Sequence, residues 1–360
     1  MKKRKQSIFH AFYFLKNCKL DGEIELEKGV KLIPFEGFSV KSDMELVEKF
    51  MKERGKDFGF ELDRNFPQSA LETKKKYMKK IKMAVLFIPI RADTIENVKK
   101  TLDPVADNVM FILSAFKNTY VERAGYFAID VSGKNGLKTH AIYYFDIKKI
   151  YKDYDSRKLS DDKQITMVLS KIQDIHHTIE KYDLIKHSKQ LYYEYIAEDN
   201  EDWGFLRLWN ILEIQSENRT KLTKTKIFTK KDIKKIRKVL YQTLDTKDID
   251  DQLKSKKISS ILTSLNYPPI KDKIRKMLGE YQLDLNPIDE SHDIIDQIYQ
   301  YRNCLIHYGG CAKKRSLRVS CESWCKNSIM DSDTLRKELR NFVLQIIFRD
   351  FNIYFMIKDN

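Results

Sequence analysis

Two kinds of hydrophobic pattern divide this chain. Over the first 150 residues apolar positions come in short runs separated by turn signals: SIFHAFYFL at 7–15, EIELEKGVKLIPF at 23–35, IKMAVLFIPI at 81–90, YVERAGYFAIDV at 120–131 and LKTHAIYYFD at 137–146. Runs of this length, rich in β-branched and aromatic residues, predict strands. The first two, joined through Lys19-Leu20-Asp21-Gly22, are expected to pair antiparallel, and Asn135-Gly136 to close a type I′ hairpin between the last two. Helices are expected over 43–54 and from Asp93 to about Phe116, the second broken near Pro104 because proline has no backbone N–H to donate.

Beyond a polar, charged linker at 151–159 the period changes to that of helices, expected over 160–181, 187–198, 203–217, 230–244, 248–265, 270–281, 291–307 and 331–354. Phe205, Leu208, Trp209 and Leu212 recur at steps of three and four, so one face of their helix is buried. The fold class that follows is α+β: a β-rich domain over 1–150, the linker, and an all-α bundle over 160–360.

Composition adds less. Hydrophobic residues make up 42% of the 360, ample for two cores, and the formal net charge is +15, carried mainly by lysine. That charge fits an anionic partner and equally a solvated surface. No apolar run is long enough to span a bilayer, so no membrane role is expected. The opening MKKRKQSIFHAFYFL imitates a signal peptide, but His10 interrupts the apolar patch and no small-residue cleavage site follows, so it is taken as a first strand. With five cysteines, an odd number, the expected setting is a reducing cytoplasm.

Candidate chemistry concentrates in YRNCLIHYGG, 301–310. On a helix starting at Ser291, Ile294, Ile298, Tyr301 and Leu305 fall in a narrow arc and form the core stripe, Arg302 lies at its border, and Tyr299, Asn303 and His307 step outward. Arg302 and His307 are about 140° apart on a regular helix, so one straight helix does not place them side by side. The helix end at Gly309-Gly310, or a second copy of the helix, must bring them together. Arginine stays charged and holds phosphate with a planar fork. Histidine titrates nearest neutrality and suits proton transfer. Asn303 can orient a phosphate oxygen or the imidazole four residues on. The plainer alternative is a salt-bridged surface arginine and a histidine complementing the dipole at a helix end.

Arg-Asn-x-x-x-His before a glycine pair resembles the signature of the HEPN superfamily, and FLRLWNILEIQSEN at 205–218 is similar to the LWxxLE helix of ApeA-like HEPN domains from bacterial phage-defence proteins. The resemblance covers roughly the C-terminal half. It implies a HEPN helical domain, a homodimer with a composite active site, and metal-independent endoribonuclease activity on RNA, tRNA included. Products would carry 2′,3′-cyclic phosphate and 5′-hydroxyl ends, with Arg302, Asn303 and His307 catalytic and no cofactor. It also implies antiviral defence by abortive infection, set off by a phage-derived trigger, with the N-terminal domain as sensor or substrate selector. The rival is a HEPN dimer that binds RNA, a nucleotide or a partner protein without cutting. Glu213, at the acidic position of the LWxxLE helix, either orients Arg302 or caps the buried face; Tyr299 supports the site.

Two further clusters remain. Lys230, Lys231, Lys234, Lys235, Arg237 and Lys238 could track a phosphate backbone or form an ordinary solvated face, and aromatics near them are few. Cys304 or His307 with Cys311, Cys321 and Cys325 could supply four zinc ligands, though the spacing is not that of a common zinc knuckle; buried or free thiols are the alternative. A chain of this third kind would be an interaction protein holding zinc and a partner.

Overall fold

The computed structural model describes residues 6–26, 29–38, 44–58, 80–132, 162–219, 228–244, 250–266, 268–283, 293–308 and 330–351. The protein is α+β: a five-stranded antiparallel sheet comes first and helices follow. The chain folds as two compact units, 1–186 with 358–360, and 187–357.

In the first unit the strands are β1 (Ser7–Lys16), β2 (Ile24–Glu25), β3 (Lys31–Phe38), β4 (Lys80–Ala92) and β5 (Glu122–Asp130), in the order β2-β3-β4-β1-β5. The expected pairing of 7–15 with 23–35 is therefore wrong. β1 pairs with β4, Phe12 opposite Phe87, and with β5, Phe12 opposite Phe127, while β2 and β3 form their own hairpin around Gly29 at φ 78°. The cause lies in β1 itself: Ala11, Phe12, Tyr13, Phe14 and Leu15 are all fully buried, on both faces of the sheet, which only an interior strand can achieve. Phe12 and Phe14 join Phe35, Phe87, Phe127 and Phe50 on one side, covered by α1 (Met44–Arg54).

Tyr13, one residue out of phase, faces α2 (Ile95–Lys117) and donates its hydroxyl to Asp103 at 3.1 Å. Thr94 caps α2, accepting from the Asn97 amide at 3.2 Å. The helix runs through Pro104 instead of breaking there. Pro104 is half-exposed and Lys100, whose carbonyl loses its partner, is exposed, so water can serve that oxygen while Val98, Leu102, Val105 and Val109 hold the helix to the sheet.

The stretch expected as one helix over 160–181 is two, α3 (Asp162–Leu169) and α4 (Ile172–Lys181). Both pack on α2, with Ile165, Val168, Leu169, Ile172, Ile175 and Ile179 buried, and Asn108 of α2 meets His176 at 3.0 Å. They belong with the sheet and not with the later helices, a departure from the expected boundary at 150–160. The strand expected at 137–146 and the linker at 151–159 lie outside the described residues.

After α5 (Asp183–Ala197), the second unit holds α6 (Glu201–Arg219), α7 (Lys230–Leu244), α8 (Asp251–Asn266), α9 (Ile270–Glu280), α10 (Ile294–Tyr308) and α11 (Ser332–Asp350). α6 is its centre, touching α9, α10 and α11. Phe205, Leu208, Trp209, Ile211 and Leu212 are all buried and fill one arc of about 160°, the single buried face that the helical period predicts. No helix among the described residues is long and apolar enough to cross a membrane.

Candidate functional site

The leucines and tryptophan of the LWxxLE segment are core residues of the central helix; they hold α10 in place and do no chemistry themselves. Phe205 meets the Tyr301 ring edge-on at 4.8 Å, and the Tyr301 hydroxyl donates to Asp202 at 2.7 Å. One turn back, Trp209 lies 5.7 Å from Tyr299. The predicted core stripe of α10, Ile294, Ile298, Tyr301 and Leu305, is buried, together with Ile295 and Cys304.

The first turn of α10 is a charge-matched joint with α9. Asp293 caps the helix, accepting from the Asp296 amide at 3.0 Å. Arg275 donates to both oxygens of Asp293, at 2.6 and 3.0 Å, and to Asp296 at 2.5 Å; Lys271 donates to the other Asp296 oxygen at 2.6 Å. Hydrogen bonding to Asp293 first, and to Asp296, raises the Arg275 pKa against the opposing pull of burial. Burial alone would push the Asp296 carboxyl up, but the bonds from Lys271 and Arg275 outweigh it and hold the carboxyl below its ordinary value.

Arg302, less than three turns along the same helix, has no such company. It is half-buried, its only hydrogen bond among the described residues runs from Nη1 to Asn303 Oδ1 at 3.0 Å, and no carboxylate among them pairs with it. Its Nε is buried without an acceptor, as is the indole Nε1 of Trp209, and Gln300 Oε1 is a buried acceptor without a donor. Tyr299 and Asn303 are half-buried beside it, and Lys271 Nζ lies 5.5 Å from the centre of the Tyr299 ring. A guanidinium with an unsatisfied donor among the described residues, an amide, and an aromatic ring with a cation over it can receive an anion carrying a planar group.

The expected site residues divide as follows. Arg302, Asn303 and Tyr299 share one stretch of α10. His307 stands on the last turn of that helix by its backbone; its imidazole lies outside the described residues. Glu213 is half-buried on α6, and no ion pair joins it to Arg302 among the described residues. Lys230, Lys231, Lys234, Lys235, Arg237 and Lys238 lie on α7, Lys230, Lys231, Lys234, Lys235, Arg237 and Lys238 all carrying exposed side chains.

Cys304 is buried and held in a disulfide, with its partner outside the described residues. It is therefore neither a free thiol nor, in that state, a zinc ligand. Cys311, Cys321 and Cys325 lie outside the described residues, and no group of three metal-ligating side chains occurs among those that are described. Lys271 and Gln300 are neighbours of the site that no sequence signal marks, because each acquires its role from helix packing; Trp209 is marked only as a core residue.

Comparison of the chain with protein-family models, with curated proteins and with solved structures gives no match.

Proposed function

We propose that the second unit is a metal-independent endoribonuclease of the HEPN kind, with Arg302, Asn303 and His307 as its reacting groups. The observation that carries this reading is the state of Arg302: a half-buried guanidinium with no carboxylate and one unsatisfied donor among the described residues. Keeping a cation so placed is unfavourable unless an anion completes it. Phosphate is the anion whose oxygens match the arginine fork.

In the proposed reaction a histidine removes the 2′-hydroxyl proton, and Arg302 stabilises charge developing on the phosphoryl oxygens. Asn303, held by Arg302 through its Oδ1, has no acceptor for its amide N–H groups among the described residues, and they can orient a phosphate oxygen. A second proton transfer releases the 5′-oxygen, leaving 2′,3′-cyclic phosphate and 5′-hydroxyl ends. Since Arg302 and His307 diverge by about 140° on one helix, the complete site is assigned to two copies of α10 in a homodimer. Phage defence in the cytoplasm, with the first unit selecting substrate or sensing a trigger, is the biological role that the HEPN resemblance supports.

The test is cleavage of total RNA and tRNA by the purified chain in EDTA, beside Arg302→Ala and His307→Ala, with end-group analysis. Cyclic phosphate ends from the wild type and none from either variant are expected. Equal cutting by all three would move the activity elsewhere, and RNA binding without cutting in any of them would return the non-catalytic module. Mixing the two variants should restore part of the activity if the sites are shared between protomers.

A further inference from the structure

In the second unit several cations are matched to carboxylates. Arg207 pairs with Glu194 and Glu198, Arg219 with Asp350, Lys273 with Glu217, Arg275 with Asp293 and Asp296, and Arg336 with Glu201 and Asp333. Exposed cations without an ion pair among the described residues also occur singly or in twos on other helices, such as Lys256 and Lys257 of α8 and Lys276 of α9; α7 gathers six. Its six cations, Lys230, Lys231, Lys234, Lys235, Arg237 and Lys238, are exposed, and among the described residues none has an ion pair.

Advancing about 100° and 1.5 Å per residue, the six fill one continuous arc of about 160° over about 12 Å of helix. Neighbouring like charges at this spacing oppose helix formation. The one acidic residue of α7, Asp232, is committed to the helix start: its carboxylate accepts from the Thr229 hydroxyl at 2.5 Å and amide at 3.1 Å, while the Asp232 amide donates to Thr229 Oγ1 at 3.2 Å. Inside the helix only the attraction between Asp232 and Lys235 offsets the repulsion.

The opposite arc carries Ile233, Ile236 and Leu240, all half-buried, and α7 packs on α8, where Ile258 and Leu262 are buried. The cations thus stand on a convex surface turned away from the apolar seam. A single-stranded ligand would call for a groove with successive aromatic platforms. α7 offers one aromatic, the half-buried Tyr241. Base-paired RNA hides its base faces and presents rows of phosphates, recognised through shape and backbone charge. An arc this wide can meet two such rows.

We infer that the cationic face of α7 is a docking surface for the phosphate backbone of base-paired RNA, separate from the Arg302 centre. The inference deepens the ribonuclease reading by naming the substrate class, and it rests on RNA being the ligand, not on cleavage.

The experiment is fluorescence anisotropy of the full chain, carrying His307→Ala so that RNA stays intact, over a salt series. The probes are an RNA duplex of about 20 base pairs, a length able to cover successive grooves, and an unstructured single strand with the same number of phosphates. Lys230, Lys234, Lys235 and Lys238 are changed together to Gln, and in a second variant to Arg; circular dichroism checks that both fold.

Duplex binding about tenfold tighter than single-strand binding is expected. The Gln variant should lose that affinity and about one unit of salt slope for each phosphate contact removed, and the Arg variant should keep both. Equal affinity for the two RNAs, or a Gln variant that binds as before, overturns the inference. So does preferential capture by vesicles of anionic phospholipid, which would make the occupant a membrane surface. Cleavage by the wild-type chain without duplex preference in this series would sink this inference alone, whereas charge-dependent duplex binding beside a wild-type chain that cuts no RNA in EDTA would sink the ribonuclease reading alone.

Discussion

The two ends of α10 treat arginine in opposite ways. At its first turn Arg275 is surrounded by Asp293 and Asp296, and with Lys271 it welds α9 to α10. Toward its last turn Arg302 has, among the described residues, only an amide neighbour and a buried donor with nothing to bond. The first arrangement is satisfied within the protein and stabilises the unit; the second leaves a donor without an acceptor among the described residues, which is why the proposed function gives it a ligand. Both arginines are half-buried, so they differ in partners and not in exposure class; on the proposed function this separates a structural arginine from a binding one.

The largest effect that would break this comparison is on activity. Arg302→Ala should lower the rate of RNA cleavage by about a hundredfold to a thousandfold, the range seen when one charge-stabilising donor is removed, while Arg275→Lys leaves it within a fewfold. Initial rates on one defined RNA decide the matter, and an equal loss in both variants would mean that Arg302 acts through structure.

Next comes stability. Arg275→Met leaves Asp293 and Asp296 without their main partner and should cost about 3 kcal/mol in denaturant unfolding. Asp350→Ala should cost a comparable amount, since Arg219 and the Tyr281 hydroxyl both bond that nearly buried carboxylate. Arg302→Met should do the reverse. Removing an unsatisfied buried donor is expected to raise the melting point by about 2–4 °C, equivalent to about 1 kcal/mol for a unit of this size. A melting point lowered as far as that of Arg275→Met would erase the distinction between the two arginines.

The smallest effect is in pH dependence, and two aspartates sharpen it with opposite signs. Asp296 is held below its ordinary value in the folded state, so the stability it contributes is present above the unfolded pKa of about 3.9 and is lost as pH falls through the folded value. Burial raises the Asp350 carboxyl despite Arg219, so its contribution is present below about 3.9 and is lost as pH rises through the folded value. Unfolding followed from about pH 3 to 6 should therefore show Asp296→Asn flattening the acid limb and Asp350→Asn removing a decline on the other side. Unchanged profiles in both would mean that neither carboxyl is perturbed by folding.

How much of this could be seen in the residues themselves depends on range. The core stripe of α10 and the buried face of α6 were legible because helical period is local. So was the clustering of cations on α7. Their lack of ion pairs was not, because pairs such as Arg275 with Asp293 and Arg219 with Asp350 span 18 and 131 residues. The same limit hid the solitude of Arg302. β1 was misplaced for a related reason: burial on both faces erases the alternation that reveals which strands pair, and the turn at Asp21-Gly22 favoured the nearer neighbour. Pro104 shows the reverse case, a strong local signal overridden by packing on both sides of α2.

The placement of β1 also has a consequence in time. Its partners are encoded far downstream, with Phe9 opposite Ile90 and Asp130. At ribosomal rates of about 5–20 residues per second, some 120 residues of synthesis take roughly 6–25 s. For that interval a ten-residue strand carrying Phe9, Phe12, Tyr13, Phe14 and Leu15 has been made while the second of its flanking strands has not. The strand that ends up most sheltered in the finished sheet is thus the one with the longest wait during its birth.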